Sequence, residues 1–155
     1  MNERYIRQIM IPEIGEAGQE KLKNAKVLIV GIGGLGSPIS LYLTAAGVGQ
    51  IGLIDDDIVS KSNLQRQILY TEAEIGQSKV ECACRRLSAL NSSTRFETYP
   101  NRFTPDNANR LVSAYDIIVD GCDNAATRYL IDDVCSRFKK PYVYGSISEF
   151  RGQVS

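Results

Sequence analysis

The stretch from Lys26-Val-Leu-Ile-Val30 through Gly31-Ile-Gly-Gly-Leu-Gly36 to Gln50-Ile-Gly-Leu-Ile-Asp55 decides the fold. Five aliphatic-rich residues predict a strand, and the glycines after them predict a tight turn. Leu35 to Ala46 reads as a helix with Pro38 tolerated in its first turn, and Gln50 to Asp55 as a second strand. No charged residue occurs between Val27 and Ile54, so a hydropathy scan would flag a membrane span. Glycines at 31, 33, 34, 36, 47, 49 and 52 would break a lipid-facing helix, whereas strand, turn, helix and strand all use them. The stretch is one buried βαβ unit. Its strands are continuously apolar because a parallel sheet is covered on both faces.

Working outward, the same alternation continues. Gln77 to Leu90 places Val80, Ala83, Leu87 and Leu90 at helical spacing, and a weaker strand follows from Thr94 to Tyr99. Thr104-Pro-Asp106 supplies an N-cap and a first-turn proline for a helix to about Ala114. Asp116 to Asp120 is a fourth strand, and Pro141 to Gly145 is a fifth. Between them Ala125 to Phe138 is a helix with Leu130, Val134 and Phe138 on one face. Repeated strand-then-helix order predicts an α/β fold, a Rossmann-like doubly wound and mostly parallel sheet with helices on both faces. With 155 residues and 43% hydrophobic content, one core burying roughly 70% of the unfolded chain's surface is expected. No repeat or linker interrupts residues 1–155, which read as a single nucleotide-binding domain.

Composition narrows the function classes. Eighteen basic and eighteen acidic residues leave no net charge, so neither nucleic acid nor an anionic membrane is an expected partner. Cys82, Cys84, Cys122 and Cys135 fit neither a zinc pattern nor a secreted disulfide framework, and are expected as reduced thiols in or near the core. Met1-Asn-Glu-Arg-Tyr5 carries charge where an apolar signal segment would begin, so a cytoplasmic location is expected. There is no histidine, which excludes a Ser-His-Asp triad, an HExxH zinc site and a histidine proton relay.

In a doubly wound sheet, ligands bind beyond the carboxyl ends of the strands. Gly31 to Gly36 follows the first strand, Asp55 ends the second, and Cys122-Asp-Asn124 follows the fourth. Gly31, Gly33 and Gly36 permit a tight turn and close backbone approach, with helix N–H groups open to phosphate. Asp55 lies about twenty residues beyond the turn, where a carboxylate accepts ribose hydroxyls; alternatively it shares a solvated turn with Asp56 and Asp57. In Ser62-Asn-Leu-Gln-Arg-Gln67, Arg66 offers a planar donor fork and Asn63 an amide, both suited to phosphate. Lys79 stands near a helix start, disfavoured by the dipole unless an anion is present, or is simply a surface lysine. Asp123 is placed to help hold magnesium, or to cap the helix beginning near Ala125.

Arg4-Tyr-Ile-Arg-Gln8, the Gly31 to Gly36 turn, Asp55, Ser62 to Gln67, Gly76-Gln-Ser-Lys79 and Asp123-Asn-Ala-Ala-Thr-Arg128 together resemble the ThiF/MoeB/HesA family. These adenylyltransferases activate small ubiquitin-like sulfur carriers and are related to ubiquitin-activating enzymes. The resemblance implies that a carrier's C-terminal Gly-Gly carboxylate attacks the α-phosphate of ATP, giving an acyl-adenylate and pyrophosphate. It implies ATP and Mg2+ as cofactors, with Gly31, Gly33, Gly34 and Gly36 at the nucleotide and Asp55 at the ribose. It further implies a nucleotide contact along Ser62, Asn63, Leu64, Gln65 and Arg66, with Asn63, Arg66 and Lys79 on the phosphates. Asp123 would support magnesium, with Asn124 beside it, and Arg7 would reach into the partner's site in a homodimer. Arg7, Arg66, Lys79 and Asp123 would carry catalysis.

Ile54-Asp-Asp-Asp57 and Gln67-Ile-Leu-Tyr-Thr71 look more like the thiamine-synthesis branch than the molybdopterin branch. Family members continue beyond the point where this chain stops, with paired CxxC zinc ligands, a later reactive cysteine and much of the carrier groove. A C-terminally truncated part of a longer enzyme is therefore expected, with zinc only in the segment absent here. Such chemistry does not miss a histidine, because an α-carboxylate with a pKa near ~3.5 is already ionised at neutral pH and needs no general base. Two alternatives stand beside it: an NAD-dependent oxidoreductase using the same glycine turn, and a noncatalytic dimerisation half of an adenylating enzyme.

Overall fold

A computed structural model describes residues 3–155; Met1 and Asn2, the start of the segment whose charge disfavours a signal sequence, lie outside the described residues. The order is α1 (Ile6–Ile9), α2 (Gly15–Asn24), β1 (Lys26–Val30), α3 (Gly36–Ala46), β2 (Gln50–Ile54), α4 (Lys79–Leu90), β3 (Arg95–Tyr99), α5 (Pro105–Ala114), β4 (Ile117–Asp120), α6 (Ala125–Phe138), β5 (Tyr142–Val143), β6 (Gly145–Ser148) and β7 (Arg151–Val154). Strands β1 to β5 form one parallel sheet in the order β3-β2-β1-β4-β5, and β6 pairs antiparallel with β7. The order reverses at β1, leaving a crevice between the chain segments that follow β1 and β4. Val30 is in register with Ile54 and Asp120, and Ile54 with Tyr99, so the segments after all four strands leave the sheet at one rim.

Alternation along β1 divides the core. Val27 and Ile29 point to the face covered by α3 and α4, where Val80, Ala83 and Leu87 are buried. Leu28 and Val30 point to the other face, covered by Leu111 and Val112 of α5 and by Ile131, Val134 and Cys135 of α6. A wholly buried leucine such as Leu28 contributes roughly 2–3 kcal/mol of transfer free energy. Thr104 caps α5 through a full capping box with Asn107, with Pro105 at its start.

Three features depart from expectation. Phe138 is 40% exposed, and α6 buries Ile131, Val134 and Cys135 instead, with Leu130 only partly buried. The buried stripe is thus displaced toward Ile131, which lies three residues before Val134. The fifth strand shrinks to Tyr142–Val143, because Tyr144 already pairs with Ser155 and the chain turns into the β6–β7 hairpin. Helices α1 and α2 carry no clear apolar stripe and were not anticipated; α2 is held by Gln19, whose amide donates to the Ala46 carbonyl at 3.0 Å. Among the described residues, no helix is long and apolar enough to cross a membrane.

Candidate functional site

The glycine turn is fixed from several directions. Gly31 adopts φ +87°, and a Cβ there would lie 2.9 Å from the Cys122 backbone nitrogen. A Cβ on Gly36 would collide with the Gly31 carbonyl. The β1 and β4 loops therefore touch backbone to backbone, which only glycine permits. Asp55 Oδ2 accepts from the Ile32 amide at 2.7 Å, and the Tyr70 hydroxyl donates to the Ile32 carbonyl at 2.7 Å. Burial, with Asp55 nearby, pushes the Tyr70 hydroxyl well above the ordinary phenol range, so it remains a donor. Between these anchors, the amides of Gly33 and Gly34 have no acceptor among the described residues. Two adjacent unbonded amides before a helix suit an anion.

The segment from Ser62 to Gln67 folds over this turn. A 3-10 turn at Lys61–Asn63 lets the Asn63 carbonyl accept from the Arg66 and Gln67 amides at 3.1 and 2.9 Å. Arg66 Cδ and Nε then lie 3.6 Å from where a Gly34 Cβ would stand, and Gln67 Nε2 lies 3.3 Å from the same point on Gly33. Among the described residues Arg66 donates only Nη1, to the Ser62 carbonyl at 3.3 Å, leaving the rest of its fork available. The Asn63 side chain makes no hydrogen bond among the described residues, while Ser62 Oγ sits 3.0 Å from Ser60 Oγ. Leu64 packs against the α4-side core, and Gln65 reaches back to the Ser62 carbonyl at 3.5 Å. Gln67, left out of the expected site, is 4% exposed with a buried Oε1 that has no partner among the described residues. Its place at the end of a recognised run was the only sequence signal for it.

Lys79 is no surface lysine. It is 3% exposed, opens α4, and donates Nζ to Asp57 Oδ2 at 2.8 Å and its amide to the Asp57 carbonyl at 3.0 Å. The carboxylates of Asp55, Asp56 and Asp57 lie within 4.8 Å of one another, yet each is engaged differently. Asp55 accepts the Ile32 and Asp57 amides, Asp56 pairs with Arg102 at 2.7 Å, and Asp57 holds Lys79. Asp55 is thus not merely part of a solvated turn, since it staples the glycine loop to the end of β2.

After β4, Asn124 rather than Asp123 is the N-cap of α6, accepting from the Thr127 amide at 2.9 Å. That removes the capping explanation for Asp123, whose carboxylate is exposed and unbonded among the described residues. Such a carboxylate fits the one or two protein ligands magnesium takes when phosphates and water complete its shell. Burial, followed by the nearby Asp120 carboxylate, pushes the Cys122 thiol up to about 12, and burial pushes Cys135 up to about 11. Both thiols stay protonated and are poor nucleophiles. All four cysteines are free.

Contacts thus join the glycine turn to Asp55, Arg66 and the Cys122 segment, and Asp55 through Asp57 to Lys79. Arg7 is not brought to this rim by its own chain. Its neighbour Gln8 donates to the Ala46 carbonyl at 3.0 Å, at the end of α3 farthest from Gly36. That end is about 15 Å along the helix from the turn.

The model of the ThiF family matches residues 5–155. The chain is 50% identical over 152 residues to the probable adenylyltransferase/sulfurtransferase MoeZ of Mycobacterium tuberculosis, covering 98% of this chain and 39% of the relative. It is 48% identical over 153 residues to the sulfur carrier protein adenylyltransferase of Thermus thermophilus, covering 99% and 56% respectively. The chain thus spans about two fifths to just over half the length of these relatives. Among solved structures, the tRNA N6-threonylcarbamoyladenosine dehydratase TcdA of E. coli in complex with ATP superposes with a TM-score of 0.80 at 32% identity, covering 83% of this chain and 53% of that one. Fold, rim and sequence agree, and the chain belongs to the ThiF family.

Proposed function

We propose that residues 1–155 form a nucleotide-binding domain that adenylates the C-terminal glycine carboxylate of a ubiquitin-like sulfur carrier ending in Gly-Gly. The observation that carries this reading is the pair of unbonded Gly33 and Gly34 amides, with Arg66 packed on Gly34 and Lys79 held nearby through Asp57. The glycine amides alone would also serve the pyrophosphate of NAD; it is the added cations Arg66 and Lys79 that suit a triphosphate. The relative named as a sulfur carrier protein adenylyltransferase supports the choice of substrate.

In this reading ATP lies across the crevice between the β1 and β4 loops. Asp55 keeps lone pairs for the ribose while it clamps the turn. Arg66, Asn63 and Lys79 bear against the phosphates, and the Gly33 and Gly34 amides cradle them. The carrier carboxylate attacks the α-phosphorus, a new P–O bond forms, and the bond to the bridging oxygen breaks as pyrophosphate leaves. No proton moves in that step. Asp123 is the residue that would hold magnesium, whose role is to neutralise phosphate charge. A homodimer in which Arg7, which lies away from its own rim, serves the partner's site is part of this reading. Four unpaired cysteines agree with a reducing cytoplasm. Ile54-Asp-Asp-Asp57 inclines toward thiamine synthesis, but a relative named as a probable molybdopterin-synthase adenylyltransferase, 45% identical over 152 residues, supports molybdopterin synthesis.

The test is direct. The full-length protein, incubated with magnesium, ATP and a carrier ending in Gly-Gly, should yield a carrier heavier by one AMP in intact mass spectra. A carrier shortened by its last glycine should not gain it. Absence of the adduct together with tight binding of NAD would overturn the reading in favour of an oxidoreductase.

A further inference from the structure

We infer that Arg128 is the positioning residue that presents Asp123 to the nucleotide, an inference that rests on the adenylation reading above. Arg128 lies on α6, one turn beyond the Asn124 cap, and its side chain is only 21% exposed. Its guanidinium spans three structural units. Nη2 donates to the Cys122 carbonyl at 2.8 Å and to the Gly145 carbonyl at 3.2 Å, and Nη1 donates to the Tyr144 hydroxyl at 3.0 Å. The guanidinium also stands over the Tyr144 ring, 4.9 Å from its centroid. Nε lies 3.5 Å from Asp120 Oδ2, a carboxylate with no exposed side-chain surface.

These contacts and those of the adjoining backbone hold Gly121, Cys122 and Asn124, and among the described residues leave the Asp123 side chain without a hydrogen bond. The Gly121 amide donates to the Val30 carbonyl at 2.8 Å, and the Cys122 amide donates to Asp120 Oδ1 at 2.8 Å. The Cys122 carbonyl is taken by Arg128, and Asn124 Oδ1 by the Thr127 amide. Tyr142 donates its hydroxyl to Asp120 Oδ2 at 3.1 Å, closing the network from β5. A loop pinned on both sides of one exposed, unbonded carboxylate is preorganised: Asp123 need not be ordered when the nucleotide arrives. Arg128 is the one member that touches the loop, the buried Asp120 and the start of the β6–β7 hairpin at once. Only a planar fork can do so, and lysine offers a single point of charge.

The experiment compares the full-length wild type with Arg128→Lys, Arg128→Gln and Asp123→Ala by hydrogen exchange and by the magnesium dependence of carrier-stimulated pyrophosphate exchange. Arg128→Lys keeps a cation beside Asp120, so it guards against simple unfolding in Arg128→Gln. Exchange at residues 121 to 124 is expected to accelerate tenfold or more in Arg128→Lys, while β1 and β2 stay protected. The magnesium concentration for half-maximal rate should rise at least fivefold, and that for ATP should change less than twofold. Unchanged protection of the loop in both Arg128 variants would overturn the inference. A wild-type magnesium dependence in Asp123→Ala would instead sink the adenylation role of Asp123, and faster loop exchange in Arg128→Lys would still establish the anchor.

Discussion

Lys79 and Asp57 are joined twice, by Nζ to Oδ2 at 2.8 Å and by the Lys79 amide to the Asp57 carbonyl at 3.0 Å. The lysine side chain is 4% exposed and that of the aspartate 65%, so the two ends of the pair are unequal. Removing Asp57 strands a buried ammonium, whereas removing Lys79 leaves a carboxylate that water can solvate. Asp57→Ala should therefore destabilise the protein by about 3 kcal/mol, while Lys79→Met, which keeps the volume, should change stability by less than about 1 kcal/mol. Lys79→Met should nonetheless reduce adenylation by roughly a hundred- to thousandfold. Urea unfolding beside a rate assay separates the two effects. Equal destabilisation by both variants would contradict the asymmetry.

Gly31 sits at φ +87° with the Gly121 and Cys122 backbone 2.9 Å from an added Cβ. Gly31→Ala meets both strain and collision, so a loss of about 2 kcal/mol or more is expected. Gly76 shares φ +87° but faces open space, and Gly76→Ala should cost only the strain, about 1–2 kcal/mol. Thermal unfolding of the two variants should rank them in that order, with nucleotide binding lost only in the first.

The buried thiols set an alkaline limit. Burial, then Asp120, raises Cys122 from 9.0 to about 12, and burial, then Asp132, raises Cys135 from 9.0 to about 11. Above pH 9 the unfolded chain loses thiol protons that the folded chain retains, so the unfolded state binds fewer protons and stability falls as pH rises. The loss should run from about pH 9 to about 11 for Cys135 and to about 12 for Cys122. Denaturant midpoints taken across this range should decline, and Cys135→Ala should decline less steeply than wild type. A flat profile in both proteins would refute the burial argument.

Much of the fold was legible because periodicity reports burial directly. The β1 and β2 runs, the Thr104-Pro105 start of α5 and the full extent of α6 all stand where local chemistry puts them. What escaped was fixed by tertiary contact. Helix α2 depends on Gln19 reaching Ala46, and the shortened β5 depends on Tyr144 pairing with Ser155, neither of which leaves a periodic trace. The rim residues were recognisable by type, but their duties were not. Sequence could not show that Asp55 also clamps the Ile32 amide, that Lys79 is buried, or that Asn124 takes the cap and frees Asp123. Those assignments turn on which of several adjacent polar side chains meets a given amide, and spacing does not encode that.

The measurement closest to the central claim is exchange of labelled pyrophosphate into ATP by the full-length protein, with a carrier ending in Gly-Gly, comparing wild type and Asp123→Ala. Asp123 makes no hydrogen bond among the described residues, so the variant should keep its stability to within about 0.5 kcal/mol. Carrier-dependent exchange in the wild type that falls by on the order of a hundredfold or more in Asp123→Ala is the predicted result. Exchange that persists undiminished in the folded variant would contradict the account.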